Sequence, residues 1–180
     1  MKGIVFTEFL EMVESKFSYE VTENIIEAAK LPSGGVYTAV GTYDHAEIVA
    51  LVTHLSRATN IAVPDLLHAF GHHLLYRFAA GYPQFFEGIT SSLDFMQRVD
   101  GYIHVEVRKL YPEAQLPTLE CETPSPGVLK VTYRSNRPFA DLADGLIAGC
   151  VDYFGDKVSV TREDVVPGSV AVFTMIQAQA

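Results

Sequence analysis

Hydrophobic residues in the first part of the chain recur with the period of an α-helix. Residues 3–17 and 19–31 place apolar side chains three or four positions apart, which predicts two amphipathic helices. The following loop ends at Asp44, a favourable N-cap, with Glu47 three positions later at the spacing of a capping box. Further helices are predicted for HAEIVALVTHLSRATN, for PDLLHAFGHHLLYRFAAG and for a segment from about Thr90 towards Tyr111.

Beyond Pro112 and Pro117 the pattern changes to the alternation that is typical of β-strands. PTLECET and VLKVTYRS alternate and are joined by the turn signal PSPG, and KVSVTRE and SVAVFTMIQ alternate near the end. FADLADGLIAGCVDYF, between the two pairs, predicts a helix whose Asp141 and Asp144 are expected on an exposed first turn. Strands grouped in this way predict an antiparallel sheet in an α+β arrangement.

Composition limits the classes of function. The chain has 180 residues, 48% of them hydrophobic, which fits one domain with either a large core or a lined apolar cavity. A net charge of −9 argues against a general affinity for nucleic acids or anionic membranes. The N-terminal segment reads as neither a signal peptide nor a membrane span, and the two cysteines form no CxxC motif, so we expect a cytoplasmic protein with reduced thiols.

Sequence motifs for catalysis, such as GxSxG, HExxH and a glycine-rich phosphate loop, do not occur. His68 and His72 lie four apart on a predicted helix and could chelate a metal, so a metal-dependent enzyme is one hypothesis, although spacing fixes no third ligand. Tyr133, Ser135 and Arg137 occupy alternate positions and would share one face of a strand. Two hydroxyls and a guanidinium suit carboxylates, so a haem-free binding module for an acidic ligand is a second hypothesis.

His104 stands between Ile103 and Val105 in a segment that permits either a helix or a strand. A lone histidine among apolar neighbours is usually a hydrogen-bonded core residue. Three features nevertheless suggest a haem site when they are taken together: an apolar cavity, a histidine at its wall and a Tyr/Ser/Arg face. The histidine would then bind iron, and the polar side chains would hold the two propionates.

The sequence also resembles the H-NOX family of haem nitric oxide/oxygen binding domains, which are related to the haem domain of soluble guanylate cyclase. The resemblance rests on MKGIVF, HVEVRKLYP, QLPTL and YRSNR, in this order and spacing. It implies a single haem-binding domain over residues 1–180 with an α+β fold. A helical distal subdomain would span about 1–64, and a proximal subdomain with helices and a four-stranded antiparallel sheet about 65–180, with haem between them.

The same resemblance assigns roles to individual residues. His104 would be the iron ligand, Tyr133, Ser135 and Arg137 would hold the propionates, and Pro117 would pack on the haem and distort it. Further haem contacts would come from Val5, Phe78 and Leu146. In the distal pocket Leu142 stands five residues after Arg137, where oxygen-binding relatives have a tyrosine. Phe9 and Leu74 stand where such relatives have a tryptophan and an asparagine.

The function implied by the resemblance is that of a gas sensor rather than an enzyme. Haem b would be held noncovalently, because no CxxCH motif is present. NO and CO would bind the ferrous iron, oxygen would be excluded, and NO would break the bond between iron and His104. The signal would pass to a separate histidine kinase or cyclic-di-GMP enzyme. The zinc site of some bacterial relatives uses several C-terminal cysteines, and with only Cys121 and Cys150 this chain is expected to lack it.

Overall fold

The structure, a computed structural model, describes residues 1–178 and divides into two compact units, Met1–Phe70 and Gly71–Ala180. The first unit is helical, and its last helix continues into the second unit. The helices are α1 (Gly3–Lys16), α2 (Tyr19–Ala29), α3 (His45–Thr59) and α4 (Val63–Gly81). All four lie where the hydrophobic period predicts them. None of the helices in residues 1–178 has the length and hydrophobicity needed to span a membrane.

The start of α3 differs from the expected capping box. The side chain of Asp44 accepts a hydrogen bond from the backbone N–H of Ala46 at 2.9 Å, so the N-cap is confirmed. The carboxylate of Glu47, however, is buried and accepts hydrogen bonds from the hydroxyls of Ser33 and of Tyr37, the latter at 2.8 Å. Two hydroxyl donors from the preceding loop compensate the buried charge, and Glu47 thereby fastens that loop to α3.

The helix predicted from about Thr90 to Tyr111 is present but interrupted. It consists of α5 (Ser92–Arg98), a π-helical turn (Val99–Ile103) and α6 (His104–Leu110). The backbone N–H of His104 donates to the carbonyl oxygen of Val99, five residues earlier. Such one-turn insertions are frequent at functional sites, and this one directly precedes the candidate iron ligand.

The predicted four-stranded antiparallel sheet is confirmed. Its strands are β1 (Thr118–Ser125), β2 (Val128–Arg134), β3 (Val158–Val166) and β4 (Val170–Gln177), in the spatial order β1-β2-β4-β3. Leu129, Val131 and Tyr133 alternate along β2 and are all buried, so one face of this strand packs into the core. Helix α7 (Ala140–Phe154) connects β2 to β3, and its residues Ile147 and Cys150 contribute to the same core.

Helices α4 and α7 approach each other through glycine. A Cβ atom added at Gly71 would lie 2.2 Å from the carbonyl oxygen of Leu142 and 2.7 Å from the backbone nitrogen of Leu146. One added at Gly149 would lie 3.0 Å from the carbonyl oxygen of His72. The missing side chains therefore let the two backbones come into close contact, which fixes how α7 faces α4.

Asp141 and Asp144 are not on an exposed helical turn, contrary to the expectation from the sequence. Both are partly buried and bind Arg162 of β3, with Nη1 of the arginine 2.7 Å from Oδ1 of Asp141 and 3.3 Å from Oδ2 of Asp144. Arg162 also contacts Asp164 and lies over the ring of Phe173. This network joins the first turns of α7 to the sheet.

Candidate functional site

His104 heads α6 with its imidazole ring in a defined orientation. The side chain is only 12% exposed, and Nδ1 lies 3.1 Å from Oδ1 of Asp100. An ionised carboxylate can only accept a hydrogen bond, so the proton is on Nδ1. No other residue of the described chain, residues 1–178, forms a hydrogen bond with the ring. Nε2 is therefore the nitrogen whose lone pair is available to a metal.

The surroundings of His104 also favour the neutral imidazole. Burial lowers the pKa of His104 below its ordinary value; the carboxylate of Asp100 opposes this shift, and the charge of Arg108 adds to it. The net effect is a ring that is uncharged near neutral pH. This is the form that binds metals, because protonation would occupy the second nitrogen.

The predicted Tyr/Ser/Arg cluster is formed, although not on a continuous strand. Strand β2 ends at Arg134, and the Oγ atom of Ser135 accepts a hydrogen bond from the backbone N–H of Arg137 at 3.1 Å, which turns the chain. The three side chains stay together. Burial raises the pKa of Tyr133, while its hydrogen bond with Ser135 and the charge of Arg137 oppose this shift.

The guanidinium of Arg137 is held by a residue that the sequence pattern did not single out. Nη1 donates to the carbonyl oxygen of Gln115 at 3.3 Å and Nη2 donates to its side-chain Oε1 at 2.8 Å. Gln115 belongs to the loop between α6 and β1. Because a guanidinium has five N–H donors, this contact orients Arg137 and leaves donors for an acidic ligand.

Pro117 lies next to this cluster along the sheet. It directly precedes Thr118, which pairs with Arg134 at the end of the β1–β2 ladder. Pro117 and Ser135 therefore lie at the same end of this pair of strands. Pro117 is partly buried and its fixed backbone angle makes a rigid entry to β1.

The remaining candidates in the second unit lie on α4 and α7. Leu74 and Leu142 are buried, while Phe78 and Leu146 are partly buried. Leu74 is three positions after Gly71, the point of close approach to Leu142 and Leu146, and hence on the same face of α4. All four side chains are apolar.

Val5 and Phe9, the two candidates in the first unit, lie on α1. Val5 is partly buried, whereas Phe9 is fully buried and packs edge-on against Phe70, with 5.1 Å between ring centroids. Neither side chain carries a hydrogen-bond donor.

The candidate residues of the second unit fit the chemistry of haem. A neutral histidine with one free ring nitrogen suits the iron, a guanidinium with hydroxyls beside it suits propionates, and apolar side chains suit the macrocycle. His104 is the main reason for this fit. Its Nδ1 forms a hydrogen bond with Asp100, and its Nε2 has no protein partner in residues 1–178.

The alternative metal pair is not assembled into a site. His68 is exposed, and His72 is paired with Asp152 of α7, with 2.8 Å between Nε2 and Oδ2. Within residues 1–178 no three His, Cys, Asp or Glu side chains are grouped so as to hold a metal ion.

Sequence reasoning missed two residues, Asp100 and Gln115. Asp100 could have been found, because it lies four residues before His104, and this spacing places side chains side by side on a helix. Gln115 gives no such signal. Its contact with Arg137 depends on how an irregular loop folds back against the end of β2.

Comparison with known proteins gives consistent results. The family model for haem-NO-binding domains matches residues 2–162. Among solved structures, the Fe(II) unliganded H-NOX protein from K. algicida is 33% identical, with a TM-score of 0.93 and coverage of 100% of this chain and 98% of that chain. The H-NOX from Shewanella woodyi, solved in its Fe(II)CO state with IWP-051 bound, is 36% identical, with a TM-score of 0.85 and coverage of 99% and 95%.

A more distant relative is the soluble guanylate cyclase gcy-35 of Caenorhabditis elegans. It is 21% identical over 141 residues, which make up 76% of this chain. The match spans only 20% of the length of that cyclase. The similarity therefore concerns one segment of a much longer protein.

Proposed function

Since this chain belongs to the haem-NO-binding (H-NOX) family of haem-based gas sensors, we propose that it senses nitric oxide at a ferrous haem held by His104. In this proposal the haem is bound noncovalently, NO and CO are its gaseous ligands, and oxygen is excluded. The output is a change in the protein around His104 that a separate partner protein reads, with a histidine kinase or a cyclic-di-GMP enzyme as candidate partners.

The single observation that best supports this proposal is the state of His104. A buried, neutral imidazole with Nδ1 bonded to a carboxylate and Nε2 without a partner in residues 1–178 is prepared to donate to a metal. Because a buried polar side chain normally has at least one hydrogen-bond partner, the contact with Asp100 satisfies the ring and leaves Nε2 for the metal.

The position of His104 also suggests how a signal could start. When bound, haem would supply an iron that binds NO, and His104 would be the protein ligand that this binding releases. His104 is the first residue of α6 and is preceded by the π-helical turn Val99–Ile103. Release of His104 would remove the tether on this junction, and the π-helical turn could then relax towards regular helix. Such a shift is the two-state element that a partner protein would recognise.

The chain's distal candidates support a preference against oxygen. Leu142 and Leu74 in the second unit and Phe9 in the first have no hydrogen-bond donors on their side chains, and all three are buried. Oxygen depends on a donor for stable binding to ferrous iron much more than NO or CO does.

An absorption experiment tests the proposed function. The purified protein is supplied with haem and reduced under nitrogen. We expect a Soret band whose intensity is proportional to the bound haem. This band should shift when NO is added and when CO is added. The variant with both His68→Ala and His72→Ala is the control and should behave in the same way. A protein that binds no haem, or one whose spectrum ignores NO, would refute the proposal. Metal bound outside haem and lost in the control variant would favour the enzyme hypothesis.

Replacement of Arg137 should loosen the haem. Arg137→Ala removes a charged group beside Tyr133 and Ser135, and we expect about tenfold faster haem loss, as follows from losing one charge-assisted hydrogen bond at a partly exposed site. Ser135→Ala removes a neutral partner and should accelerate the loss only about threefold. The rate is measured as transfer of haem to excess apomyoglobin.

Arg134→Ala is the matched control for this series. Arg134 is exposed and lies in the same segment, and within residues 1–178 its side chain is paired only with Glu120, at 3.8 Å. Its removal should leave haem transfer unchanged, since exposed ion pairs contribute little. Equal rates for Arg134→Ala and Arg137→Ala would show that the propionates are not held by the predicted cluster.

A further inference from the structure

Asp100 fixes the orientation of the His104 ring. Its Oδ1 lies 3.1 Å from Nδ1 of His104, and within residues 1–178 the carboxylate has no other hydrogen-bond or ion-pair partner. Four other ionisable side chains on α5 and α6 form pairs away from it, namely Asp94 with Arg98 and Glu106 with Lys109. The acceptor capacity of Asp100 is therefore directed at the histidine.

The backbone gives a reason for this pairing. Asp100 lies within the π-helical turn Val99–Ile103, and the N–H of His104 closes that turn onto the carbonyl oxygen of Val99. Asp100 is also close enough to the thiol of Cys121 on β1 to contribute to a raised pKa of that group, after the larger effect of burial. The Asp100 side chain is 36% exposed, so its carboxylate is partly shielded from solvent.

A carboxylate that accepts the Nδ1 proton changes the donor strength of Nε2. It pulls the proton away from the ring, so the imidazole gains anionic character and becomes a stronger metal ligand. A neutral acceptor at the same place has a smaller effect, because hydrogen bonds to charged groups are about twice as strong as neutral ones.

We infer that Asp100 is a positioning residue that strengthens the bond between His104 and iron and thereby sets how readily NO binding releases His104. This inference rests on the proposed function, in which His104 is the iron ligand. It goes further because it assigns control over the release of His104 to Asp100. In the proposal this side chain of the π-helical turn binds neither haem nor gas itself.

The test compares Asp100→Asn with wild type in the haem-loaded chain of 180 residues. Asn keeps the size of the side chain but replaces the charged acceptor with a neutral one. We expect the iron–histidine stretching band of the unliganded ferrous protein, measured by resonance Raman spectroscopy, to move to lower wavenumber. After addition of NO, the ratio of His104-released to His104-bound protein should rise by about tenfold, the lower end of the effect of losing such a supporting partner. Asp100→Ala, which has no acceptor, should shift both quantities further in the same direction.

Asp94→Asn is the matched control, because Asp94 also contacts the side chain four residues later on its helix, that of Arg98, at 3.3 Å. It should change neither quantity. If the stretching band has the same wavenumber in Asp100→Asn, Asp100→Ala and Asp94→Asn, the inference about Asp100 is wrong. The sensor proposal still stands in that case. If the wild-type protein has no iron–histidine band, or His104→Gly retains it, the ligand assignment itself fails.

Discussion

His104→Gly is expected to abolish the iron–histidine bond and to weaken haem binding by at least about tenfold. Loss of a residue that only hydrogen-bonds to a metal ligand already weakens metal binding by about this factor. The stretching band of the ferrous protein should disappear. Added imidazole should restore part of the haem binding and a band of similar frequency, because the free ligand can occupy the space left by the side chain. Absorption and resonance Raman spectra with and without imidazole give the measurement.

Two variants separate loss of the ligand from damage to the helix. Glycine within a helix costs about 1 kcal/mol, so His54→Gly in α3 provides a control for the backbone effect and should keep haem and spectrum. His104→Ala removes the ligand without this flexibility and should match His104→Gly before imidazole is added. A ferrous spectrum unchanged in both His104 variants would mean that another residue binds the iron.

The fold was largely predictable because periodicity records which face of each element is buried. In β2, Leu129, Val131 and Tyr133 alternate with Lys130 and Thr132, and the structure buries the first three. A period of two needs no knowledge of the partner strand, which is why the strands could be predicted from local sequence. Their antiparallel arrangement followed from their grouping around a single helix.

Side chains whose partners are distant in sequence were not predictable. Asp141 and Asp144 fit an exposed helical turn by local rules, yet both bind Arg162 on the next strand. Glu47 fits a capping box, yet it accepts hydrogen bonds from Ser33 and Tyr37. In each case the local preference is worth about 1 kcal/mol, and a partly buried charge with distant donors outweighs it.

The residues of the candidate site also divide into those that the local sequence reveals and those that it does not. The Tyr133, Ser135 and Arg137 cluster was visible in the sequence because it lies within five positions of one segment. The π-helical turn before His104 was not, since one extra residue in one turn barely disturbs a helical period. Periodicity left His104 on either a helix or a strand. The structure places it on α6.

The second large effect concerns oxygen. The wild-type ferrous protein is expected to form no lasting oxygen complex in air, while Leu142→Tyr should acquire one. Leu142 lies in the first turns of α7 and is 9% exposed, so a hydroxyl introduced there would be largely shielded from water. A hydrogen bond to a polarised ligand in such surroundings is worth about 1.5–3 kcal/mol, which corresponds to a gain in oxygen affinity of about tenfold to a hundredfold.

Leu142→Phe separates the hydroxyl from the added bulk. Both aromatic rings must fit beside the close contact of α7 with Gly71, where an added Cβ would lie 2.2 Å from the carbonyl oxygen of Leu142, so both variants carry a similar packing cost. Only the tyrosine can donate a hydrogen bond. The reduced proteins are opened to air, and their Soret bands are followed from the first seconds. A lasting oxygen spectrum in the wild type would overturn the proposed exclusion. Equal stabilisation of oxygen by Leu142→Phe and Leu142→Tyr would show that shape, and not the missing donor, controls which gas is bound.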